Sequence, residues 1–421
     1  MELVSSQEKS RLPTQIVALL AAAIALCWVF AIDVVTNDYD IKRLPYDCLA
    51  YIDMAEHPVG HSAHPISPFA FRVLTPAIAR GLNQLFDTET ETGFSVVAHV
   101  GAWLQLLLVF GFARRGLGAE RRTAAFVTLL CSLQYFNFKY YLFDVYRPDH
   151  LAQPLMIAAW WALLERRFNL ALLACAVGLP DREFLLVPSV LLSGLLAQTA
   201  WRTKSSAAWA RWALSTLALG VVFVLPRLLI HTEQSVTLES RFHGSWVSTL
   251  IGAPLQKRRL ANLAYSLLAY TLPVWLLASR AGLRRLAALP KDRRYLALAH
   301  VGLVLVLSLY GGTDIPRFVA YLQPVLIMAL VAELEEPARP PVLVATVLAM
   351  VVFNRAWSHI PVDDVMRFVD FYGGWDDRVR ASARRGAEAI ACIAAVWSVG
   401  YAATRVQGRR LASPVVNTDT R

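Results

Sequence analysis

The sequence predicts an all-α polytopic membrane protein, a single transmembrane domain over 1–421 with about twelve transmembrane helices (eleven to thirteen). Two observations carry this. Hydrophobic residues make up 56% of the 421 and charged residues only 17%, which leaves too little polar surface for a soluble chain of this length. The apolar residues also come in blocks. Pro13 to Val35 carries one formal charge, Asp33; Ala213 to Ile230 carries one, Arg227; Leu296 to Gly312 carries none. At about 1.5 Å per residue each block approaches the roughly 30 Å of a hydrocarbon core.

The spans read as roughly 13–35, 94–113, 123–142, 151–165, 168–180, 184–200, 213–231, 265–279, 296–312, 318–335, 341–357 and 387–404. The fourth and fifth are short enough to be tilted, buried or broken. The net charge of +10 does not point to nucleic acid, because the basic residues gather at the ends of apolar blocks. Lys9 and Arg11, Arg114 to Arg122, Arg166-Arg167, Arg202 to Arg211, Arg280 to Arg294, and Arg405 to Arg410 all fall on one side. The positive-inside rule makes that side cytoplasmic, with both termini inside and 405–421 as a tail. Lys257-Arg258-Arg259 and Arg384-Arg385 fall on the opposite side and do not fit. The preference for Arg over Lys, with Ala and Leu so common, fits a GC-rich bacterial genome and hence a bacterial inner membrane. Four of the five cysteines lie in apolar blocks with no CxxC pair, which excludes a disulfide framework.

The long loops lie on the outer side. The first, 36–93, contains Phe71, Leu74, Ile78, Leu82 and Leu85 at helical spacing, with Arg72, Arg80, Asn83 and Gln84 off that stripe. This predicts an interfacial amphipathic helix over 68–86. The charged residues nearest to hydrocarbon also sit outside: Asp144 and Arg147, with Asp149 and His150, in the second loop; Asp181, Arg182 and Glu183 between two apolar blocks; Asp314 and Arg317 before another. Such charges are costly there and usually line a bundle interior or wet cavity. His57, His61 and His64 have metal-like spacing but lack carboxylate or Cys partners at helical spacing, so no metal ligand is assigned. A divalent metal is compatible with the site but no ligand set indicates one, and the cofactor stays open.

Tyr46-Asp47-Cys48-Leu49-Ala50-Tyr51 resembles the first-loop signature of GT-C type glycosyltransferases, polytopic enzymes that use lipid-phosphate-linked sugars. Pro68-Phe69-Ala70-Phe71-Arg72 through Pro76 is similar to the helix that follows it there. Asp181-Arg182-Glu183 resembles the family's mid-chain Arg-Glu element, and Asp314-Ile315-Pro316-Arg317-Phe318 with Pro324 its late Arg-aromatic motif. The resemblance spans about the first 335 residues by order and spacing. Cys48 stands where many members have a second acidic residue. The resemblance implies a polyprenyl-phosphate-linked sugar donor, with membrane lipids as surroundings. It makes Asp47 the catalytic base, and Arg317 with Arg72 or Arg182 the holders of the lipid phosphate. Tyr51, Asp144, Arg147, Asp181, Glu183 and Asp314 would line the substrate site. This chemistry needs a carboxylate to take the acceptor's proton and cations for the phosphate leaving group. A twelve-helix secondary transporter and a surface-polysaccharide polymerase or ligase remain open. The former rests on the basic turn Gly111 to Arg122, the latter on the 232–264 loop with His231, Arg241 and His243.

Overall fold

A computed structural model describes residues 48–58, 61, 66–67, 69–134, 137–138, 144–232, 234–235, 256–310, 315–335, 340–355, 371 and 379–412. The predicted first span, Asp47 and Asp314 lie outside the described residues. Long apolar stretches can bury their backbone polar groups in lipid only by bonding within the segment, and helices result. Six described helical stretches are long and apolar enough to cross a membrane: Thr90–Gly116, Glu183–Thr203, Ser206–Leu229, Lys291–Tyr310, Ile315–Leu334 and Val379–Arg405. Phe168–Gly178 and Pro340–Phe353 are shorter apolar helices. The protein is a helical membrane protein.

In chain order, α1 is Cys48–Glu56, α2 Leu74–Phe86, α3 Thr90–Gly111 and α4 Arg121–Ser132. Then follow α5 (Asp149–Leu164), α6 (Phe168–Gly178), α7 (Leu186–Thr203) and α8 (Ser206–Leu229). Next are α9 (Lys257–Tyr270), α10 (Leu272–Leu277), α11 (Arg280–Ala288) and α12 (Lys291–Tyr310). The last are α13 (Ile315–Val319), α14 (Gln323–Leu334), α15 (Pro340–Phe353) and α16 (Val379–Ala412). Among the described residues the sole β-pairing is a two-residue parallel bridge, Ile66 with Gln234 and Ser67 with Ser235. It ties the first long loop to the one after α8.

Two predicted spans are revised. The 123–142 helix stops at Ser132, and the 265–279 helix begins at Lys257 and breaks at Thr271. Pro273 has no N–H to continue the ladder and restarts the helix as α10. The two interruptions answer each other. Gln134 Nε2 donates to the Tyr270 carbonyl at 2.6 Å, and the Tyr270 hydroxyl donates to Asn137 Oδ1 at 3.4 Å. Broken backbone inside a bundle is tolerated only where protein groups satisfy it in this way.

The two basic clusters that violated the charge rule are not loops. Lys257-Arg258-Arg259 forms the first turn of α9, and Arg384-Arg385 lies in the second turn of α16. Arg385 is buried, pairing with Glu388 and donating to the Phe353 carbonyl at 2.6 Å. The expected tail from 405 is still helical as far as Ala412.

The amphipathic segment of the first loop is a 3₁₀ turn, Phe69–Phe71, followed by α2. Thr75, Pro76 and Ala79 are buried, while Ile78, Leu85 and Phe86 are exposed. Short connections make successive helices run back and forth, and the ion pairs sort to two ends. Arg166–Asp292 and Arg285–Glu335 mark one end. Arg72–Glu183 and Arg182–Asp149 mark the other.

α3 approaches α5 so closely at Gly101 that an added Cβ would collide with the His150 carbonyl. That neighbour is backbone and cannot rotate away. Gly101→Ala is therefore expected to destabilise the protein by about 1–3 kcal/mol, read as a lowered thermal midpoint in detergent. Gly194→Ala, which meets open space, serves as the control.

Candidate functional site

The six residues from Gly178 to Glu183 organise one end of the bundle. α6 ends at Gly178, whose carbonyl accepts from the Asp181 and Arg182 amides at 3.0 and 2.9 Å. The tight turn sends three consecutive charged side chains in three directions. The three pair with three other elements, and Asp181 and Arg182 are fully buried.

Asp181 reaches α2. Its Oδ1 accepts from the Thr75 amide at 3.1 Å and the Thr75 hydroxyl at 2.7 Å, and the Pro180 carbonyl accepts from the Leu74 amide at 3.3 Å. The residue preceding α2, Val73, offers no capping side chain. The first-turn donors of this helix are thus satisfied by a carboxylate from a distant turn, which also suits the helix dipole. Asp181 lies between helices, outside the spans. Burial pushes its carboxyl up to about 7; the Thr75 hydroxyl pulls it down and the Asp149 charge pushes it further up.

Glu183 takes a second direction. Arg72 Nε donates to both of its oxygens, at 3.2 and 3.1 Å, and Arg72 Nη2 lies 3.1 Å from Oε2. Arg72 Nη1 also donates to the Tyr51 hydroxyl at 2.7 Å. Arg227 Nη2 approaches Glu183 Oε1 at 3.5 Å from α8. Arg72 is therefore committed to protein partners.

Arg182 takes the third direction, toward Asp149, the first residue of α5. Its Nε is 3.3 Å from Asp149 Oδ1. Arg317 of α13 faces the other oxygen at 3.7 Å, and the Tyr321 hydroxyl donates to Oδ1 at 2.6 Å. Phe184 stacks on Phe318 and Tyr321, with centroids 5.1 and 4.5 Å apart, and the Arg182 and Arg317 guanidinium groups both lie over the Phe318 ring. Arg182 is 1% exposed, yet none of its three side-chain nitrogens makes a hydrogen bond. Asp149 Oδ2 and Asp181 Oδ2 are likewise buried without one. Nearby, Arg147 pairs with Asp144, whose carbonyl also contacts His150 Nε2 at 3.1 Å.

Polarity then declines with depth along α5. Gln153, about 6 Å beyond Asp149, accepts from Gln105, which also donates to Gln323 at 2.6 Å. Deeper still, Trp160 donates to His300 Nδ1 at 2.8 Å. Indole can only donate, so His300 must carry its proton on Nε2, which donates to the Tyr321 carbonyl at 2.9 Å. That histidine is neutral and its ring nitrogens are both engaged.

The structure thus gathers Tyr51, Arg72 and Glu183 in one group, Arg182 and Arg317 in another, with Asp181 between α2 and the turn, and Asp144 with Arg147 beside them. Sequence reasoning left three members out of the site. Asp149 was visible as an acid opening an apolar helix, and Arg227 as the single charge in its block. Thr75 carried no signal. Against the expectation that His57, His61 and His64 lack a carboxylate at helical spacing, His57 pairs with Asp53 four residues earlier at 3.0 Å; no group of three metal-ligating side chains occurs among the described residues.

Asp149 is the carboxylate that compensates Arg182 and Arg317. Asp149→Asn is expected to destabilise by about 3–5 kcal/mol, since it strands buried cations. Arg182→Met removes one of the two cations facing Asp149 but loses no hydrogen bond, and is expected to lower the thermal midpoint by less than Asp149→Asn does. The reverse ranking would make Arg182 a structural strut. For Asp181, the folded state holds the proton more tightly than the unfolded one. Its stabilising effect is greatest below the unfolded value near 3.8 and is lost as pH rises through about 7. Asp181→Asn should therefore flatten the stability profile between those limits in a pH series of thermal melts. Set against known proteins, the chain matches no protein-family model and no curated sequence.

Proposed function

We propose that this protein is a membrane glycosyltransferase of GT-C type that moves a sugar from a polyprenyl-phosphate-linked donor to a lipid, glycan or protein acceptor. The observation that carries the reading is the Arg182 guanidinium, fully buried with no hydrogen bond from any of its nitrogens. Leaving such donors unmade is costly. A phosphate oxyanion would satisfy them with charge-assisted bonds, and guanidinium geometry suits phosphate. Arg317 on the other side of Asp149 would share the anion.

In the proposed reaction the acceptor hydroxyl attacks the anomeric carbon, and its proton passes to a carboxylate. The bond from that carbon to the donor phosphate oxygen breaks. The electron pair leaves with polyprenyl phosphate, whose added negative charge Arg182 and Arg317 would stabilise. Asp47 is assigned the proton; it immediately precedes α1, the helix whose Tyr51 bonds Arg72. The end bearing Arg182 would be extracytoplasmic, because the opposite end carries the Arg114–Arg122 and Arg280–Arg294 clusters. With 13–35 as a further crossing, about twelve spans place both termini inside a bacterial inner membrane. A transporter has less support: His300, midway along α12, is neutral and fully engaged, so it offers no proton relay.

The test is transfer from radiolabelled polyprenyl-phosphate hexoses by purified protein in nanodiscs. Asp47→Asn and Arg182→Gln are each expected to lower turnover by about 10²-fold or more with the melting profile retained. Undiminished transfer by both variants would overturn the assignment.

A further inference from the structure

α8 is the most lipid-facing of the described spans near the site. Leu214, Leu217, Val221, Val224, Leu225, Leu228 and Leu229 are all exposed. A helix with such a surface has bilayer along most of its length. Beyond Arg211 in its second turn, one charged residue, Arg227, interrupts this surface. A lone arginine near a helix end usually snorkels toward headgroups. Arg227 instead turns toward the protein.

Its guanidinium lies 3.8 Å from the Phe223 ring centroid and 5.1 Å from that of Phe71, in the 3₁₀ turn before α2. Nη1 donates to the Phe223 carbonyl at 2.6 Å. Nη2 is left with a long approach of 3.5 Å to Glu183 Oε1, an oxygen already receiving Arg72. The side chain is 24% exposed. Arg227 is therefore flanked by two aromatic rings, weakly paired to Glu183 and partly exposed. Glu183, which it touches, directly follows Arg182 in the chain. The exposed Ile78 and Leu85 of α2 continue the apolar rim on the other flank.

We infer that Arg227 is the reception site for the phosphate of a bilayer-resident lipid, at a lateral portal between α2 and α8 that leads to Arg182. This rests on the glycosyltransferase reading and deepens it. A lipid-anchored substrate keeps its tail in hydrocarbon, so its headgroup must reach a buried cation from the side. A phosphate at Arg227 replaces a marginal contact to a shared carboxylate by bonds to an unshared anion. The Phe71 and Phe223 rings present apolar surface to the first isoprenoid units. Glu183 keeps its bidentate pairing with Arg72 throughout, so the site can empty and refill without unmaking the cluster.

The experiment measures binding of polyprenyl phosphate, without sugar, to the full chain in nanodiscs of zwitterionic lipid. Wild type, Arg227→Gln, Arg227→Lys and Arg182→Gln are compared, with inorganic phosphate and phosphatidylglycerol as competitors. Arg227→Gln is expected to weaken apparent affinity about tenfold and to slow association, and Arg227→Lys to recover part of both. Neither competitor should displace the lipid. Wild-type affinity and association in Arg227→Gln would overturn the portal while leaving the transferase reading intact. Displacement by inorganic phosphate or phosphatidylglycerol would overturn the commitment to a polyprenyl lipid. No binding by the wild type would overturn both the portal and the transferase reading.

Discussion

The carboxylate of Asp149 is the charge on which this end of the bundle depends. It is fully buried at the head of α5 and receives Arg182 from the α6–α7 turn, Arg317 from α13 and the Tyr321 hydroxyl. One anion therefore joins three segments that are far apart in the chain. Removing the counter-charge of a buried cation costs several kcal/mol, so Asp149 helps to hold both arginines in place. The geometry is also incomplete, because an ion pair at 3.3 Å through one nitrogen leaves the rest of the Arg182 guanidinium unused. A structural salt bridge tends to satisfy its donors; a binding site leaves some for its ligand.

The neighbouring contacts solve a different problem. α2 has apolar residues on its outward face and no capping residue of its own, so nothing local sets where it starts or how it sits. Asp181 caps it, and Arg72, one turn earlier, is clamped by Glu183 and Tyr51. Two acids on one tight turn, Asp181 and Glu183, thus fix both the beginning and the orientation of the amphipathic segment. Arg182 between them is held in a position where its own side chain need not serve the fold.

Elsewhere the bundle absorbs irregular backbone by pairing one defect with another. The Tyr270 carbonyl, left open because the Val274 amide turns to Thr271, is taken by Gln134, just past the premature end of α4. Arg385 of α16 is part of the same pattern: it satisfies the last turn of α15 through the Phe353 carbonyl. Charges that look misplaced as loop anchors make sense as caps on helix ends, where carbonyls lack partners.

The amino-acid sequence by itself determined that the chain enters lipid, which blocks become helices, and that the polar residues of interest cluster toward one set of span ends. Those properties follow from hydropathy and from periods of a few residues, both written locally. It also singled out Tyr51, Arg72, Arg182, Glu183 and Arg317. It did not reveal that Asp149 would be the shared counter-ion, that Thr75 would bind Asp181, or that Arg227 would face inward. These contacts join residues between 33 and 172 positions apart, and a helical period says which face a residue occupies but not what that face meets. Only packing decides that. For the same reason the sequence did not show that Arg385 would reach the Phe353 carbonyl at the end of another helix.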